Sequence, residues 1–319
     1  MKRDILFIGD PWDTLDHQRD STLHLGQIAN DEFLARCFWT LPNEIYFDQD
    51  SLFARIEGEV VCNKLKVACE TRSLDSFHSI HWRVDPPVDL STLRLWAMLV
   101  STSSPETRFI NPPPALLNWN EKFSALRFGT WEIPTLVSSS EHGWKTFFEA
   151  HGDRTLVAKP SGDAASRGVR ILPRNWTSTL AALKEMRLEY GNWLILQEFD
   201  DRLTSHGETR VFTLGRKICG ALNKKPKTGF PIMSLDSPSG QAPKLSVTNL
   251  NNQQKERAEQ VAIVLESHGI YLATIDFIGD RILEINVTSP GLIKWMDERL
   301  TGNSRIAYQY WNGLFSPTH

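Results

Sequence analysis

The stretch from Tyr271 to Gly291 constrains the fold more than any other part of the sequence, because its polar residues limit how two strands can pair. It reads YLATIDFIGDRILEINVTSPG, and Gly279-Asp280 separates two runs rich in apolar residues. A turn signal between two such runs predicts a β-hairpin. Side chains alternate between the faces of a strand, so the pairing register decides which of them share a face.

The favoured register places Asp276 across from Glu284, with Asn286 on the same face. A loop with an odd number of residues, such as Gly279-Asp280-Arg281, produces this pairing. The opposite face then carries the apolar side chains Ile275, Phe277, Leu283, Ile285 and Val287. An even loop would place carboxylates among those aliphatic groups, and such a slip is strongly disfavoured where one face is buried.

The face shared by Asp276, Glu284 and Asn286 is a candidate magnesium site. Two carboxylates one strand spacing apart repel each other unless a cation neutralises them. Mg²⁺ favours one or two carboxylates, with waters and nucleotide phosphates completing its coordination. The alternative is an ordinary solvated hairpin face, and the spacing alone leaves both interpretations open.

Length and composition exclude several other classes of protein. A chain of 319 residues predicts two or three domains, and a net charge of −3 gives no basic surface for nucleic acid. No apolar run approaches the length that spans a bilayer, and the N-terminal run is too short for a signal segment. The four cysteines form no CxxC pair, as is typical of reduced thiols. We therefore expect a cytoplasmic protein that binds neither nucleic acid nor membrane.

The order of the predicted elements indicates an α/β half followed by a mixed half. Strands and helices alternate over the first 110 residues, which predicts an open α/β domain. That domain has predicted strands at 4–9 and 108–110, weaker strand candidates at 38–46 and 52–61, and helices at 23–34 and 90–100. Residues 79–83 lead into 85–87, where two prolines end any regular element. Further along we predict a helix at 116–128, strands at 155–160 and 193–199, a hairpin at 209–222 and a helix at 252–268. Residues 224–245, with four prolines, are predicted to form a long functional or disordered loop.

Lys159 is a candidate for phosphate binding, because it ends a predicted strand and precedes a loop of small residues from Ser161 to Gly168. Backbone N–H groups of such a loop can bind phosphates while the ammonium group neutralises their charge. It is not a Walker loop, since no Gly-Lys-Ser/Thr follows, and an exposed lysine before a turn is the alternative. The stretch Gln197-Glu198-Phe199, where a strand changes from apolar to polar, is a weaker candidate for an adenine-binding linker.

Two arginines are candidates for binding a substrate carboxylate. Arg83 stands beside Asp85-Pro86-Pro87, and Arg210 lies on the second hairpin. A guanidinium group presents two parallel donors to a carboxylate, although most arginines are simply solvated. The segment from Asn286 to Gly291, which includes Ser289, offers hydroxyl and N–H donors beside the metal face, or it is an ordinary turn. The sequence contains neither HExxH nor GxSxG, so zinc hydrolase and serine hydrolase functions have little support.

Taken in order, these motifs resemble the ATP-grasp ligases and, among them, the bacterial glutathione synthetases, over nearly the whole chain. The matching segments are Asp10-Pro11, Asp20-Ser21, 83–87, 110–112, 120–122, 158–160, Gln197, Arg210-Val211, 276–281 and 284–290. The resemblance implies an α/β and α+β fold, in which an N-terminal open α/β domain precedes a two-subdomain ATP-grasp fold. The implied boundaries are residues 1–118 for the N-terminal domain, 119–200 for the central subdomain and 201–319 for the C-terminal subdomain.

The resemblance also implies a role for each candidate residue. Lys122 and Lys159 would hold ATP phosphates together with the Ser161–Gly168 loop, residues 197–200 would hold the adenine, and Glu208 the ribose. Asp276, Glu284 and Asn286 would hold Mg²⁺, as two ions, with Mn²⁺ as a substitute. The substrate and catalytic residues would be Arg83, Asp85, Arg210, Asn286, Ser289 and Gly291. The implied reaction activates a carboxylate as an acyl phosphate, which an amine attacks to give an amide, ADP and phosphate.

Two departures from the family pattern affect the expected substrate. Residues 163–167 stand where the family has several glycines, and the 224–245 segment has lysines where the family carries arginines. We therefore expect an ATP-dependent carboxylate–amine ligase of the glutathione synthetase type that joins a different pair of small-molecule or short-peptide substrates. The alternatives are glutathione synthetase itself, acting on γ-glutamylcysteine and glycine, and a non-catalytic ATP-binding regulatory module. A homo-oligomer is left open.

Overall fold

The computed structural model describes residues 2–131, 133–162, 166–227 and 242–316, and three β-sheets lie within these ranges. Each sheet is built from one consecutive part of the chain, and the candidate residues lie where the three parts meet. The four cysteines are free thiols. In the described ranges, no helix has the length and apolar content that crossing a membrane requires.

The N-terminal part forms the open α/β domain that the alternation of elements predicts. Its elements are β1 (Arg3–Ile8), α1 (Ser21–Glu32), β2 (Ala35–Thr40), β3 (Ile45–Asp48), β4 (Ser51–Val61), β5 (Lys64–Ser73), β6 (Ser79–Trp82), α2 (Leu90–Thr102) and β7 (Phe109–Ile110). The strand order is β3-β4-β2-β1-β6-β7, with β5 on the other edge of β4, and β1 runs parallel to β2 and β6. Asp20 caps α1 by accepting a hydrogen bond from the N–H of Leu23 at 2.7 Å, as Asp at an N-cap does.

The central part is a four-stranded antiparallel sheet covered by helices. Its elements are α3 (Pro113–Asn118), β8 (Thr135–Ser138), α4 (Glu141–His151), β9 (Leu156–Pro160), β10 (Arg170–Ile171), α5 (Trp176–Tyr190) and β11 (Leu194–Glu198). The strand order is β10-β9-β11-β8. This sheet has its own apolar core, which includes Trp144, Leu183 and Leu196.

The predicted helix over 116–128 is wrong. Two prolines begin α3 earlier, and the helix ends at Asn118. The side chain of Asn120 accepts a hydrogen bond from the N–H of Lys122 at 3.0 Å, and such a local bond competes with helical pairing. A 3₁₀ segment follows at Ser124–Trp131 and is interrupted at Gly129. Lys122 therefore lies on a turn and not on a helix.

The C-terminal part is a five-stranded antiparallel sheet. Its elements are α6 (Arg202–His206), β12 (Glu208–Leu214), β13 (Lys217–Lys225), β14 (Lys244–Val247), α7 (Asn252–Ser267), β15 (Leu272–Ile278), β16 (Arg281–Asn286), α8 (Ile293–Asp297) and α9 (Ile306–Phe315). The strand order is β14-β13-β12-β15-β16. The predicted loop over 224–245 is too long, since its ends belong to β13 and β14; residues 228–241 lie outside the described ranges.

One apolar cluster joins the N-terminal and C-terminal sheets. It includes Leu6 and Ile80 from the first sheet and Ile275, Ile282 and Ile285 from the third. Burial of this kind contributes about 25 cal/mol per Å² of apolar surface, so the two sheets stabilise each other. The central sheet packs around a separate cluster and faces the cleft from the other side.

Candidate functional site

The β15–β16 hairpin pairs Asp276 with Glu284, so the predicted register is confirmed. The structural feature that produces this register differs from the predicted one, because the loop has two residues, Gly279 and Asp280, and not an odd number. A β-bulge between Asp276 and Phe277 shifts the register by one residue, since Phe277 pairs with Ile282 and Asp276 with Glu284. A bulge inserts one unpaired residue and so corrects the alternation of faces that an even loop would give.

Leu283 is that extra residue, and its predicted place in the apolar core is wrong. Ile282 takes the core position and is fully buried, whereas Leu283 lines the cleft beside the two carboxylates. The bulge puts Leu283 on the same side as Glu284, where the simple alternation of a strand would have put it on the opposite side. The hairpin thus presents an apolar residue and its polar residues to one cavity.

A cleft of about 400 Å³ brings most of the candidate residues together. It lies between the central and C-terminal sheets, with the end of the N-terminal domain at one side. The candidate residues in its wall are Asp85, Lys122, Lys159, Gln197, Glu208, Arg210, Asp276, Glu284, Asn286, Ser289 and Gly291. Glu198 and Phe199 line a smaller adjoining pocket that shares Lys159, Gln197, Glu208 and Leu283 with the cleft.

Three further candidate residues, Arg83, Ser161 and Gly168, line neither the cleft nor this adjoining pocket. Arg83 is buried behind the wall of the cleft, where Nε donates to Oγ1 of Thr22 at 3.0 Å and Nη2 donates to the carbonyl oxygen of Pro290 at 3.0 Å. Arg83 therefore fixes the Ser289–Gly291 segment through the Pro290 carbonyl group, from the side that does not line the cleft. Ser161 lines a separate side pocket, and Gly168 lines none of these cavities.

Asp276 is the most deeply buried charge in the cleft. Its carboxylate accepts two hydrogen bonds from Arg210, at 2.8 and 2.6 Å, and Nζ of Lys224 lies 3.5 Å from the same group. Burial acts to raise the pKa of Asp276, but Arg210 and Lys224 outweigh it and hold that pKa well below its usual range. Nδ2 of Asn286 donates to the same carboxylate at 3.2 Å.

Glu284 pairs with Lys122, whose Nζ lies 2.5 Å from Oε1. Burial acts to lower the pKa of Lys122, but the negative charge of Glu284 acts in the opposite direction, and the pKa is raised overall. The turn that carries Lys122 is anchored by its neighbour Glu121, whose carboxylate accepts hydrogen bonds from the N–H groups of Val287 and Thr288 at 3.0 and 2.8 Å. These hydrogen bonds attach the turn that carries Lys122 to the residues that follow β16.

Lys159 lies on β9 and donates to the amide oxygen of Gln197 on β11 at 2.6 Å. The Gln197 amide in turn donates to Oγ1 of Thr135 on β8 at 2.8 Å, so three strands fix the lysine's direction. Burial lowers the pKa of Lys159 to about 8. A buried ammonium beside a neutral amide is suited to receiving an anion, because binding restores the stabilisation that burial removes.

Glu208 begins β12 and forms an ion pair with Lys224 of β13. Burial raises the pKa of Glu208 to about 7. Lys224, Glu121 and Leu283 also line the cleft, although the sequence did not single them out as site residues. Lys224 falls two residues before a proline at the start of the supposed loop, and Glu121 directly precedes Lys122; neither pattern singles out a site residue by itself.

The donors on the hairpin fit a hard cation such as Mg²⁺. Two carboxylates and one amide gather on one face, and Mg²⁺ completes such a set with waters and phosphate oxygens. Among the residues that the structure describes, no three His, Cys, Asp or Glu side chains gather in a metal-binding group. The negative charges are balanced in this structure by the side chains of Lys122, Arg210 and Lys224.

Comparison with known proteins gives matches over nearly the whole chain. The family model of the prokaryotic glutathione synthetase N-terminal domain matches residues 3–116, and that of the prokaryotic glutathione synthetase ATP-grasp domain matches residues 121–301. The glutathione synthetase of Parasynechococcus marenigrum (strain WH8102) is 32% identical over 288 residues, which cover 89% of this chain and 91% of that protein. The glutathione synthetase of Thermosynechococcus vestitus is 27% identical over 328 residues, covering 98% of this chain and 100% of that protein.

Solved structures share the architecture at much lower identity. D-cycloserine synthetase DcsG superposes with a TM-score of 0.68 at 17% identity, covering 97% of this chain and 98% of that chain. D-alanyl-alanine synthetase A of Vibrio cholerae superposes with a TM-score of 0.64 at 12% identity, covering 98% of this chain and 97% of that chain. At these identities the likeness is one of fold.

Proposed function

Because this chain belongs to the prokaryotic glutathione synthetase family and is an ADP-forming carbon–nitrogen ligase of the ATP-grasp class, we propose that its cleft joins a carboxylic acid to an amine through an acyl phosphate. The family uses ATP and Mg²⁺, and ATP-grasp ligases act on small-molecule or peptide substrates. One observation supports the proposal above the others: Lys122, Lys159 and the Asp276–Glu284 pair line the same cavity.

The reaction requires charge neutralisation and positioning, and the cleft is suited to both. An oxygen of the acid attacks the γ-phosphorus of ATP, and the bond from that phosphorus to the ADP oxygen breaks. The amine then attacks the acyl carbon, phosphate leaves with the electrons of its bond, and the amine loses a proton. Neither step needs a side-chain nucleophile, so fixed charges around the phosphoryl group are the main requirement.

We assign the residues of this chain to those tasks. Lys122 and Lys159 neutralise phosphate oxygens, and residues 197–200 hold the adenine, with Glu208 near the ribose. Asp276, Glu284 and Asn286 would hold two Mg²⁺ ions, and Mn²⁺ would be able to replace them. The bound metal would further neutralise the charge of the phosphates. Arg83 positions the Ser289–Gly291 segment by binding the carbonyl oxygen of Pro290. Arg210, Asp85 and Ser289 are assigned to the acyl substrate's end of the cleft.

We also propose that the chain divides into an N-terminal domain at 1–118, a central subdomain at 119–200 and a C-terminal subdomain at 201–319. The three sheets support this division, since each one lies within one of these ranges. The 119–131 segment packs against β16, and Oγ of Ser124 donates to the carbonyl oxygen of Ile285 at 3.3 Å. The central subdomain thus begins with a segment that is anchored to the C-terminal one.

Two candidate functions fit this cleft, and they differ in the substrates that are joined. A pair of substrates other than γ-glutamylcysteine and glycine is supported by the 224–245 segment, which contains no arginine. Glutathione synthesis itself is supported by the family matches over both domains and by relatives of that name that this chain matches over most of their length. Both candidates use the same phosphate and metal residues, so only the substrates tell them apart.

The test is ATP-dependent ADP release on a panel of acid–amine pairs, with products read by mass spectrometry. γ-Glutamylcysteine with glycine forms one arm, and other amino acids and short peptides form the rest. The Lys159→Met variant serves as the control for contaminating ligases. ADP and an amide product from wild type alone are expected. Tight ATP binding with no ADP from any pair would contradict the proposal and favour the regulatory alternative.

A further inference from the structure

Lys224 of β13 contacts two carboxylates in the wall of the main cleft. It stands directly across from Glu208 of β12 in the antiparallel register and forms an ion pair with it. Its Nζ also lies 3.5 Å from Oδ2 of Asp276, which is on β15, one strand further along the sheet. All three side chains are buried. One buried ammonium group is therefore shared by two buried carboxylates.

The Asp276 carboxylate is fully engaged by protein donors in this structure. Nε of Arg210 donates to Oδ1 at 2.8 Å, and Nη2 of Arg210 donates to Oδ2 at 2.6 Å. Nδ2 of Asn286 and Nζ of Lys224 donate to the same Oδ2, at 3.2 and 3.5 Å. A carboxylate has about four lone-pair sites, and four donors meet this one. A cation that binds Asp276 therefore has to replace one of these donors.

Lys224 is the donor that Asp276 can release at the lowest cost. Its contact is the longest of the four, and it keeps the ion pair with Glu208 when that contact breaks. Arg210 makes two short parallel bonds, which is the strong form of a guanidinium–carboxylate pair. Asn286 is itself one of the proposed Mg²⁺ ligands. The contacts thus make Lys224 the competitor of the metal for Asp276.

The charges around Asp276 decide when that exchange is favourable. Three ion pairs line this end of the cleft, namely Asp276 with Arg210, Glu208 with Lys224, and Glu284 with Lys122. Their charges sum to zero, so they offer a divalent cation no net attraction, and the released ammonium group stays nearby. Like charges a few ångströms apart repel strongly where water is excluded. The phosphates of ATP supply the negative charge that offsets this repulsion.

We propose that Lys224 makes Mg²⁺ binding at Asp276 conditional on bound nucleotide, because its ammonium group competes with the metal for that carboxylate. Metal and nucleotide then enter the cleft together, and each tightens the binding of the other. This inference rests on the proposed function, which assigns Asp276 to the metal. It involves neither the acid nor the amine, so it is tested without them.

The experiment is a titration with Mn²⁺ in the absence of nucleotide, in which electron paramagnetic resonance measures the free ion. Lys224→Met is compared with wild type and with Lys225→Met. Lys225 is the exposed neighbour on β13 and does not line the cleft, so its loss removes the same charge from an adjacent position. Lys224→Met should bind Mn²⁺ at least about tenfold more tightly than wild type, because a nearby positive charge is gone. Lys225→Met should match wild type.

Two double variants identify the carboxylate that gains the metal. Lys224→Met leaves the buried Glu208 without the lysine, which burdens folding and offers the metal a second carboxylate. Glu208→Gln, Lys224→Met removes both charges of that pair and should keep the gain in Mn²⁺ affinity. Asp276→Asn, Lys224→Met should lose the gain, because the carboxylate for which lysine and metal compete is gone.

Calorimetry measures the dependence on nucleotide. Mg²⁺ should lower the Kd for ADP at least about tenfold in wild type and by a smaller factor in Lys224→Met, since the coupling between two ligands is reciprocal. Equal Mn²⁺ affinity in Lys224→Met and Lys225→Met, a gain that requires Glu208 or persists without Asp276, or an equal effect of Mg²⁺ on ADP binding would each overturn the inference. The proposed reaction is judged separately, since a failure to form amide from any acid–amine pair leaves these titrations unchanged.

Discussion

Arg210 on β12 and Asp276 on β15 face each other across neighbouring strands, and two hydrogen bonds of 2.8 and 2.6 Å join the guanidinium to the carboxylate. The Asp276 side chain is only 2% exposed. Lys224 adds a second cation to the same carboxylate. Asp276 therefore has a structural function in addition to the metal-binding role that we propose for it, because the buried guanidinium of Arg210 depends on it for its counter-charge.

The first prediction is that Asp276→Asn destabilises the protein even without nucleotide. The substitution leaves Arg210 facing a neutral amide, while Lys224 keeps its ion pair with Glu208. Breaking a buried ion pair from one side costs about 3–5 kcal/mol. We expect a lower urea midpoint for the variant, measured at pH 7 without ATP or Mg²⁺. The double variant Asp276→Asn, Arg210→Met should recover part of that loss. An unchanged midpoint in the single variant would contradict a structural function for Asp276.

The second prediction is that Glu284→Gln separates activity from stability. The Glu284 side chain is 22% exposed and, among the residues that the structure describes, forms its ion pair with Lys122, so its loss should cost at most about 1 kcal/mol. ADP formation should fall by about a hundredfold or more, and the Mg²⁺ concentration needed for half-maximal rate should rise. Glu189→Gln, which removes an exposed carboxylate that pairs with Arg170 and does not line the cleft, is the control and should change neither quantity. Near-normal turnover of Glu284→Gln would exclude Glu284 as a metal ligand.

The third prediction concerns the pH dependence of ATP binding through Lys159. The pKa of Lys159 is lowered by burial to about 8, so the free protein loses this positive charge as the pH rises through 8. ATP favours the charged ammonium, and the Kd for ATP should be flat up to about pH 7.5 and then rise at most tenfold per pH unit. The same depressed pKa has the opposite effect on folding: between about 8 and 10.5 the unfolded state binds more protons, so the free energy of unfolding gains from rising pH.

Two variants isolate the contribution of this lysine. Lys159→Arg stays charged at every accessible pH and should give a flat profile over pH 7–9.5, whatever its absolute affinity. Lys159→Met should bind ATP weakly throughout. Calorimetric titration with ATP and Mg²⁺ measures all three profiles. A rise in Kd above pH 8 that is equally steep in the arginine variant would assign the titration to another group.

The sequence predicted the chemistry of the cleft better than the path of the backbone. The pairing of Asp276 with Glu284 followed from the cost of burying a carboxylate, which is a large local effect. The helix over 116–128 failed because the prediction took no account of the side chain of Asn120, which forms a turn with the N–H of Lys122. The hydrogen bonds from the N–H groups of Val287 and Thr288, which follow β16, to Glu121 join residues 166 and 167 positions apart, and no local pattern reports such a contact.

The β-bulge is a second feature that the sequence alone did not predict. The sequence requires an extra residue somewhere between Asp276 and Glu284, but it does not say whether the loop or the strand holds it. An odd loop and a bulged strand give the same face to the carboxylates and opposite faces to Leu283. The choice depends on packing, in which Ile282 fills the core that joins the N-terminal and C-terminal sheets.

The fourth prediction uses that bulge, because it places adjacent residues of one strand in different environments. Leu283 lines both the cleft and the adjoining apolar pocket, whereas Ile282 is fully buried in the core. Leu283→Ala should raise the Kd for ATP about 5- to 30-fold, since the loss of one apolar side chain from a binding pocket is worth about 1–2 kcal/mol, and it should barely change the urea midpoint. Ile282→Ala should lower the free energy of unfolding by about 2–5 kcal/mol and leave the Kd for ATP within about twofold. Calorimetry and urea unfolding on both variants give the two quantities. If the loss of ATP affinity followed Ile282 and the loss of stability followed Leu283, the bulge would lie elsewhere, and the loop with an odd number of residues would be the better description of the hairpin.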